Sequence, residues 1–114
     1  MLQKFEISKD SSAQTYKIRE YAVIDKRLNN VNTELLRPGD YALLHEETYA
    51  QKTINEAMAG GMLALVTALR TPFFFPNAST MAGIAECVAS LYEDKDSRSV
   101  ELFPKNGNGR NPAA

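Results

Sequence analysis

The chain has few of the residues that staple small proteins together or hold metals. Its 114 residues include one cysteine, one histidine and no tryptophan. A single cysteine, Cys87, cannot close an internal disulfide, and the N-terminal segment lacks the apolar core of a secretory signal peptide. Both features favour a cytoplasmic location. Because one histidine is too few for an ordinary zinc site, we expect no metal and no cofactor.

An excess of charge of one sign is also missing. Lysine and arginine number 13 against 14 aspartates and glutamates, for a formal net charge of −1. The clustered positive charge of a nucleic-acid-binding protein is absent, so we expect no nucleic-acid partner. The apolar run 57–69 is shorter than the roughly 20 residues that span a bilayer, so we expect no membrane insertion either.

Composition and length indicate an ordinary globular domain. Hydrophobic residues make up 44% of the chain and charged residues 24%, as in typical globular domains. A chain of this size can bury a core without disulfides. We predict a single domain over residues 1–104. Residues 105–114 contain no apolar side chain before the terminal alanines, and we expect them to form a disordered tail.

The most strongly patterned stretch is residues 53–70, where apolar side chains recur at helical spacing. The pattern predicts one long, mostly buried helix. Gly60 and Gly61 lie in its middle, although a glycine inside a helix costs up to about 1 kcal/mol relative to alanine. We interpret the two glycines as the place where another helix approaches closely.

Two capping-box spacings mark the start of that helix. Thr53 precedes Glu56 by three residues, and Thr48 precedes Gln51 in the same way. The two spacings predict first residues of the helix that differ by about one turn. The helix should end before Pro72, because proline cannot continue the hydrogen-bond ladder.

The remaining segments complete an α+β pattern. A second helix is predicted over 78–92 from its apolar stripe. Alternating polarity predicts strands at 1–8, 14–25, 41–45 and 100–103. Residues 37–40, with proline and glycine at the central positions, predict a type II turn. We therefore expect a two-layer sandwich, an antiparallel sheet of about three or four strands covered by two helices, in the order β-β-β-α-α-β.

Three consecutive aromatic residues form the first candidate site. Phe73, Phe74 and Phe75 lie between two prolines that favour an extended backbone, so adjacent rings must diverge. If one or two rings face solvent, they form an interface for a protein partner or a second copy. The alternative is that the rings pack on the domain's own core.

A possible anion or ligand site lies at the start of the second helix. Asn77, Ser79 and Thr80 open this helix, whose free backbone N–H groups can hold an anion. Arg70 and His45 are the other polar side chains assigned to this site. Helix capping by Asn77 or Ser79 is the alternative interpretation.

Two further residue types bear on catalysis. His45 precedes Glu46 and Glu47, but Thr48 and Tyr49 follow, so the HExxH zinc motif is absent. A solvated strand end and a general base at His45 both remain open. Cys87 falls two turns inside the second helix, away from any activating helix N-terminus, and is interpreted as a packing residue.

No catalytic motif is present, and two functions remain open. The first is a cytoplasmic protein that acts by association, as a homodimer or with a protein partner, for which the apolar stretch 57–85 is the main support. The second is a small-molecule-binding protein or enzyme with a pocket between sheet and helices. In that case the polar groups would come from His45, Glu46, Arg70 or Ser79.

Overall fold

Four strands and three α-helices make up the part of the chain that the computed structural model describes, residues 3–23, 38–70, 73 and 77–103. In chain order the elements are β1 (Gln3–Asp10), β2 (Thr15–Val23), β3 (Tyr41–Ala50), α1 (Gln51–Ala59), α2 (Met62–Ala68), α3 (Ala78–Tyr92) and β4 (Arg98–Leu102). The predicted tail, 105–114, lies outside the described residues, as does the predicted ring pair Phe74 and Phe75.

The strands form one antiparallel sheet in the order β3-β2-β1-β4. The predicted α+β class and the antiparallel sheet are confirmed. The strand β3 is longer than the predicted segment 41–45, because its pairing with β2 continues as far as Thr15 opposite Ala50. The register shifts next to Glu20, which faces His45, while Tyr21 faces Leu43. This β-bulge leaves Leu44 without a partner residue on β2.

The helices cover one face of the sheet, with α3 packing on β1 and β4 and α1 on β3. Alternation along each strand sends every second side chain into this layer. The buried hydrophobic core combines strand and helix residues: Phe5, Ile7, Tyr16, Ile18, Tyr49, Ile54, Ala57, Leu65, Leu69, Phe73, Ile84, Ala85, Val88 and Leu91. Burying each large aliphatic side chain contributes about 1.5 to 3 kcal/mol.

The predicted continuous helix over 53–70 is wrong in one respect, because the chain breaks it into α1 and α2. The break lies at Gly61, whose backbone has φ 95° and ψ −179°. Residues with a Cβ rarely adopt this conformation, whereas glycine does so readily. The turn redirects the chain so that Ile54 of α1 and Leu65 of α2 are both fully buried.

The predicted capping boxes at the start of α1 are also wrong. The residue that precedes the helix is Ala50, and no side chain caps it. Instead, the backbone N–H of Gln51 donates to the carbonyl of Gln14 at 2.9 Å. A tertiary contact from the β1–β2 turn thus satisfies one of the first-turn N–H donors that have no partner inside the helix.

The second predicted helix has the predicted bounds, Ala78–Tyr92. The side chain of Asn77 accepts a hydrogen bond from the backbone N–H of Thr80 at 2.8 Å, so the capping interpretation is confirmed. The predicted type II turn is wrong. Residues Pro38–Asp40 form a 3-10 helix, and Gly39 lacks the positive φ that a type II turn requires.

Candidate functional site

The break at Gly61 creates an open groove of about 620 Å³ between α1 and α2. We call it the α1–α2 groove. Small side chains dominate its lining, which consists of Thr53, Glu56, Ala57, Gly60, Leu63, Ala64, Thr67 and Ala68. Small residues let a partner's backbone or side chain approach closely, so this surface is suited to protein contact.

One residue of this lining, Leu63, is a large apolar side chain. Leu63 is 80% exposed, and the neighbouring Met62 is 48% exposed. The helix explains the exposure of Leu63, because it lies about 200° around the axis from Leu65. Since Leu65 and Leu69 are fully buried, Leu63 must point away from the core. Leu63 and Met62 are thus large hydrophobic side chains of α2 that contact solvent.

One acid lies in the groove lining and one base lies just after α2. Glu56 lines the groove, and Arg70 follows α2. Both side chains are exposed, and within the described ranges neither forms an ion pair. Both charges are therefore available to a partner.

The predicted aromatic interface has a different placement for its first member. Phe73 is 5% exposed and belongs to the core. Its ring contacts Phe5 edge-on with centroids 5.7 Å apart, and His45 edge-on at 5.6 Å. Phe74 and Phe75 lie outside the described residues, so an interface role for them stays a prediction. For Phe73, the burial favours the core alternative.

At the start of α3, where an anion site is predicted, the hydrogen bond described is that of a helix cap. The backbone N–H of Thr80 already donates to Asn77. Ser79 and Arg70 are exposed. None of the described hydrogen bonds joins Arg70 or His45 to this helix start, and ligand binding here stays a prediction.

A group of polar side chains lies on the helix-covered face of the sheet instead. Glu20 is fully buried, and Gln3 donates to its Oε2 atom at 3.3 Å. His45 is the cross-strand neighbour of Glu20, and its Nε2 atom lies 2.8 Å from Glu47 Oε1. We call Gln3, Glu20, His45 and Glu47 the polar cluster.

Sequence reasoning missed Glu20, although a signal was present. Glu20 interrupts the alternation that places Tyr16, Ile18 and Ala22 on one face of β2. A carboxylate at a core position costs free energy unless it is hydrogen-bonded or paired. A break in parity of this kind therefore marks a buried polar group that has partners.

The open face of the sheet carries a second arrangement that sequence reasoning missed. Lys4 is only 3% exposed, and its Nζ atom lies 2.7 Å from Glu101 Oε2 and donates to the hydroxyl of Tyr41 at 2.9 Å. Burial opposes the charged ammonium, but hydrogen bonds with Glu101 and Tyr41 outweigh it and raise the pKa of Lys4. The lysine thus connects β1 to both edge strands.

Arg19 forms the other ion-pair group on the open face. It pairs with Glu46 and, at 2.9 Å, with Glu6. The hydrogen bond from Arg19 holds the pKa of Glu46 below its ordinary value. Because neighbouring residues in a strand point to opposite faces, Glu46 lies across the sheet from His45. Of these two residues, only one can therefore face a given side of the sheet.

Cys87 has the environment of a packing residue. It is half-buried in α3 and packs against the core. Burial, together with the nearby Glu86 carboxylate, raises the pKa of the Cys87 thiol. A raised pKa reduces the thiolate fraction that nucleophilic chemistry requires.

Among the residues that the structure describes, no three His, Cys, Asp or Glu side chains are grouped to hold a metal ion. No helix in these ranges is long and apolar enough to cross a membrane. The chain matches no protein-family model, no curated protein and no solved structure. Any functional proposal therefore depends on the chain's own surfaces.

Proposed function

We propose that this protein acts by association, and that the α1–α2 face binds a second copy of the chain. The observation that carries the proposal is Leu63, which is 80% exposed beside the α1–α2 groove. A surface that presents both an apolar projection and an open groove lined by small residues can be complementary to itself. Homodimers use self-complementary surfaces of this kind, because a twofold axis brings the same patch of both chains together.

A dimer formed through this face would cover apolar side chains that contact water in the single chain. Full burial of a leucine side chain contributes about 1.5 to 3 kcal/mol, and a twofold interface buries two copies of Leu63. Met62, 48% exposed beside it, enlarges the apolar patch. The small side chains of Ala64 and Ala68 lose little conformational entropy when they are covered.

The proposed setting is the cytoplasm. The chain's lone cysteine, Cys87, has no intrachain partner for a disulfide, and cytoplasmic proteins rarely depend on disulfides. Association at the α1–α2 face requires neither a disulfide nor a metal, so the reducing compartment is compatible with it.

The test compares two exposed leucines on different parts of the molecule. Leu63→Glu places a charge in the proposed interface, whereas Leu43→Glu alters a leucine of β3 that is 52% exposed. Sedimentation equilibrium over a concentration series measures the dissociation constant. We expect Leu63→Glu to weaken dimerisation by about 1 to 3 kcal/mol, as for an interface anchor. Leu43→Glu should leave the dissociation constant unchanged. A wild-type protein that stays monomeric throughout, or equal effects of both variants, would contradict the proposal.

The polar cluster favours a second candidate function, a small-molecule site between sheet and helices. Its specific observation is the fully buried Glu20 beside Gln3, because ionisable groups in buried positions concentrate at functional sites. Native mass spectrometry of the purified protein would detect a retained ligand. An adduct that Glu20→Gln abolishes and Leu63→Glu retains would support this candidate. No adduct, together with a lower melting temperature for Glu20→Gln, would assign the cluster a purely structural role.

A further inference from the structure

We infer that the two chains of the dimer exchange charges across a twofold axis, with Glu56 of each chain facing Arg70 of the partner subunit while Leu63 enters the partner's α1–α2 groove. This inference rests on the proposed function and specifies its partner. It explains why one face carries an apolar projection, a groove and both charge signs. A protein of unrelated sequence would need to match all of these features.

The positions of the two charges support the exchange. The residue that ends α2, Leu69, is in the αR region, and the backbone N–H of Arg70 donates to the carbonyl of Thr67 at 3.2 Å. Arg70 therefore follows the last turn of α2 directly, seven positions and about two helical turns beyond Leu63. The second copy therefore presents an apolar side chain and, about two turns further on, a cation.

The groove offers the matching features. Gly60, Ala64 and Ala68 line it with small residues, and Glu56 is the single charged residue in the lining. Inside one chain Glu56 and Arg70 do not pair with each other or with any other described side chain. Opposite charges without partners on one self-complementary face are satisfied when a second copy docks. They would also make the second copy preferred over apolar partners that lack the cation.

Charge reversal with mixing tests the exchange. In a Glu56→Lys homodimer two lysines face two arginines, and in an Arg70→Glu homodimer four carboxylates face one another. We expect each variant alone to dimerise about tenfold more weakly than wild type at low salt. An equimolar mixture restores both attractions, so the heterodimer should form with the wild-type dissociation constant. Native mass spectrometry with one variant ¹⁵N-labelled counts the heterodimer, and sedimentation equilibrium gives the constants.

A matched pair of reversals controls for general charge effects. Glu93→Lys and Lys95→Glu reverse an exposed acid and an exposed base in the turn after α3, outside the groove lining. Their mixture should show the statistical proportion of heterodimer. Circular dichroism should show the wild-type fold in every variant, because all four substituted side chains are exposed.

The outcomes separate this inference from the proposed function. Statistical heterodimer formation in the Glu56→Lys and Arg70→Glu mixture would overturn the charge exchange. If Leu63→Glu still abolished dimerisation in that case, association through this face would stand. If wild type were monomeric, or Leu63→Glu had no effect, both would fail. Preferential heterodimer formation that disappears at high salt is the result expected from the exchange.

Discussion

The two helical segments of this chain, 53–70 and 78–92, show that the same sequence pattern can produce two different structures. Both segments have apolar residues at helical spacing, and both contain glycine. The second forms the unbroken helix α3, while the first forms α1 and α2. A Cβ added to Gly83 in α3 would lie 3.2 Å from Leu102 Cδ2, whereas one added to Gly61 would have nothing within 4 Å. Close approach explains Gly83, and backbone conformation explains Gly61.

The difference between the segments matters for the proposed function. The chain changes direction at Gly61, and α1 and α2 both contribute residues to the α1–α2 groove. The glycine that the periodicity of the sequence treats as a helix interior is therefore the residue that builds the candidate association surface.

The largest expected effect is at this break. Gly61→Ala and Gly61→Leu should each destabilise the fold by about 1 to 3 kcal/mol, because a Cβ is strained at φ 95° whatever the size of the side chain. Urea unfolding measures both. Overpacking, the cost expected if another helix approached here, would instead make the leucine variant much less stable than the alanine variant. A large difference between the two would therefore contradict the assignment of Gly61 as a conformational glycine.

Sequence reasoning predicted the class, the strands and α3, because these depend on local periodicity. Alternation along β1 and β2 and the stripe of α3 report burial directly. The start of α1 was missed because its donor, the N–H of Gln51, is satisfied by Gln14 from a distant turn. A contact of that kind leaves no mark in the local sequence.

The candidate surfaces were harder to predict for the same physical reason. The groove is lined by residues of both α1 and α2, and the break at Gly61 that separates these helices is not visible in the periodicity of the sequence. The pairing of Lys4 with Glu101 depends on β4 lying beside β1, and strand order cannot be read from alternation. Glu20 is the exception, because its break in parity was visible in the sequence.

The next largest effect on stability is expected at the N-terminus of α3, compared with that of α1. Asn77→Ala should cost about 1 kcal/mol, because it removes the side-chain cap of α3. Thr53→Ala should be neutral to within a few tenths of a kcal/mol, since no side chain caps α1 and surface substitutions away from special features have small effects. Thermal and urea unfolding of the two variants give the comparison. Equal costs would mean that the tertiary cap from Gln14 is insufficient and that Thr53 contributes to the start of α1.

The smallest effect, and the sharpest test of the comparison, is at Gly83. Alanine here should gain up to about 1 kcal/mol of helix propensity, but its Cβ would press on Leu102 Cδ2 at 3.2 Å. We expect the two terms to offset, so that Gly83→Ala changes stability by less than about 0.5 kcal/mol. In a Leu102→Ala background the obstruction is gone, and the same substitution should stabilise by most of the propensity term. A double-mutant cycle measured by urea unfolding isolates this coupling. If Gly83→Ala were equally stabilising in both backgrounds, Leu102 would not restrict the site, and Gly83 would not be a close-approach glycine.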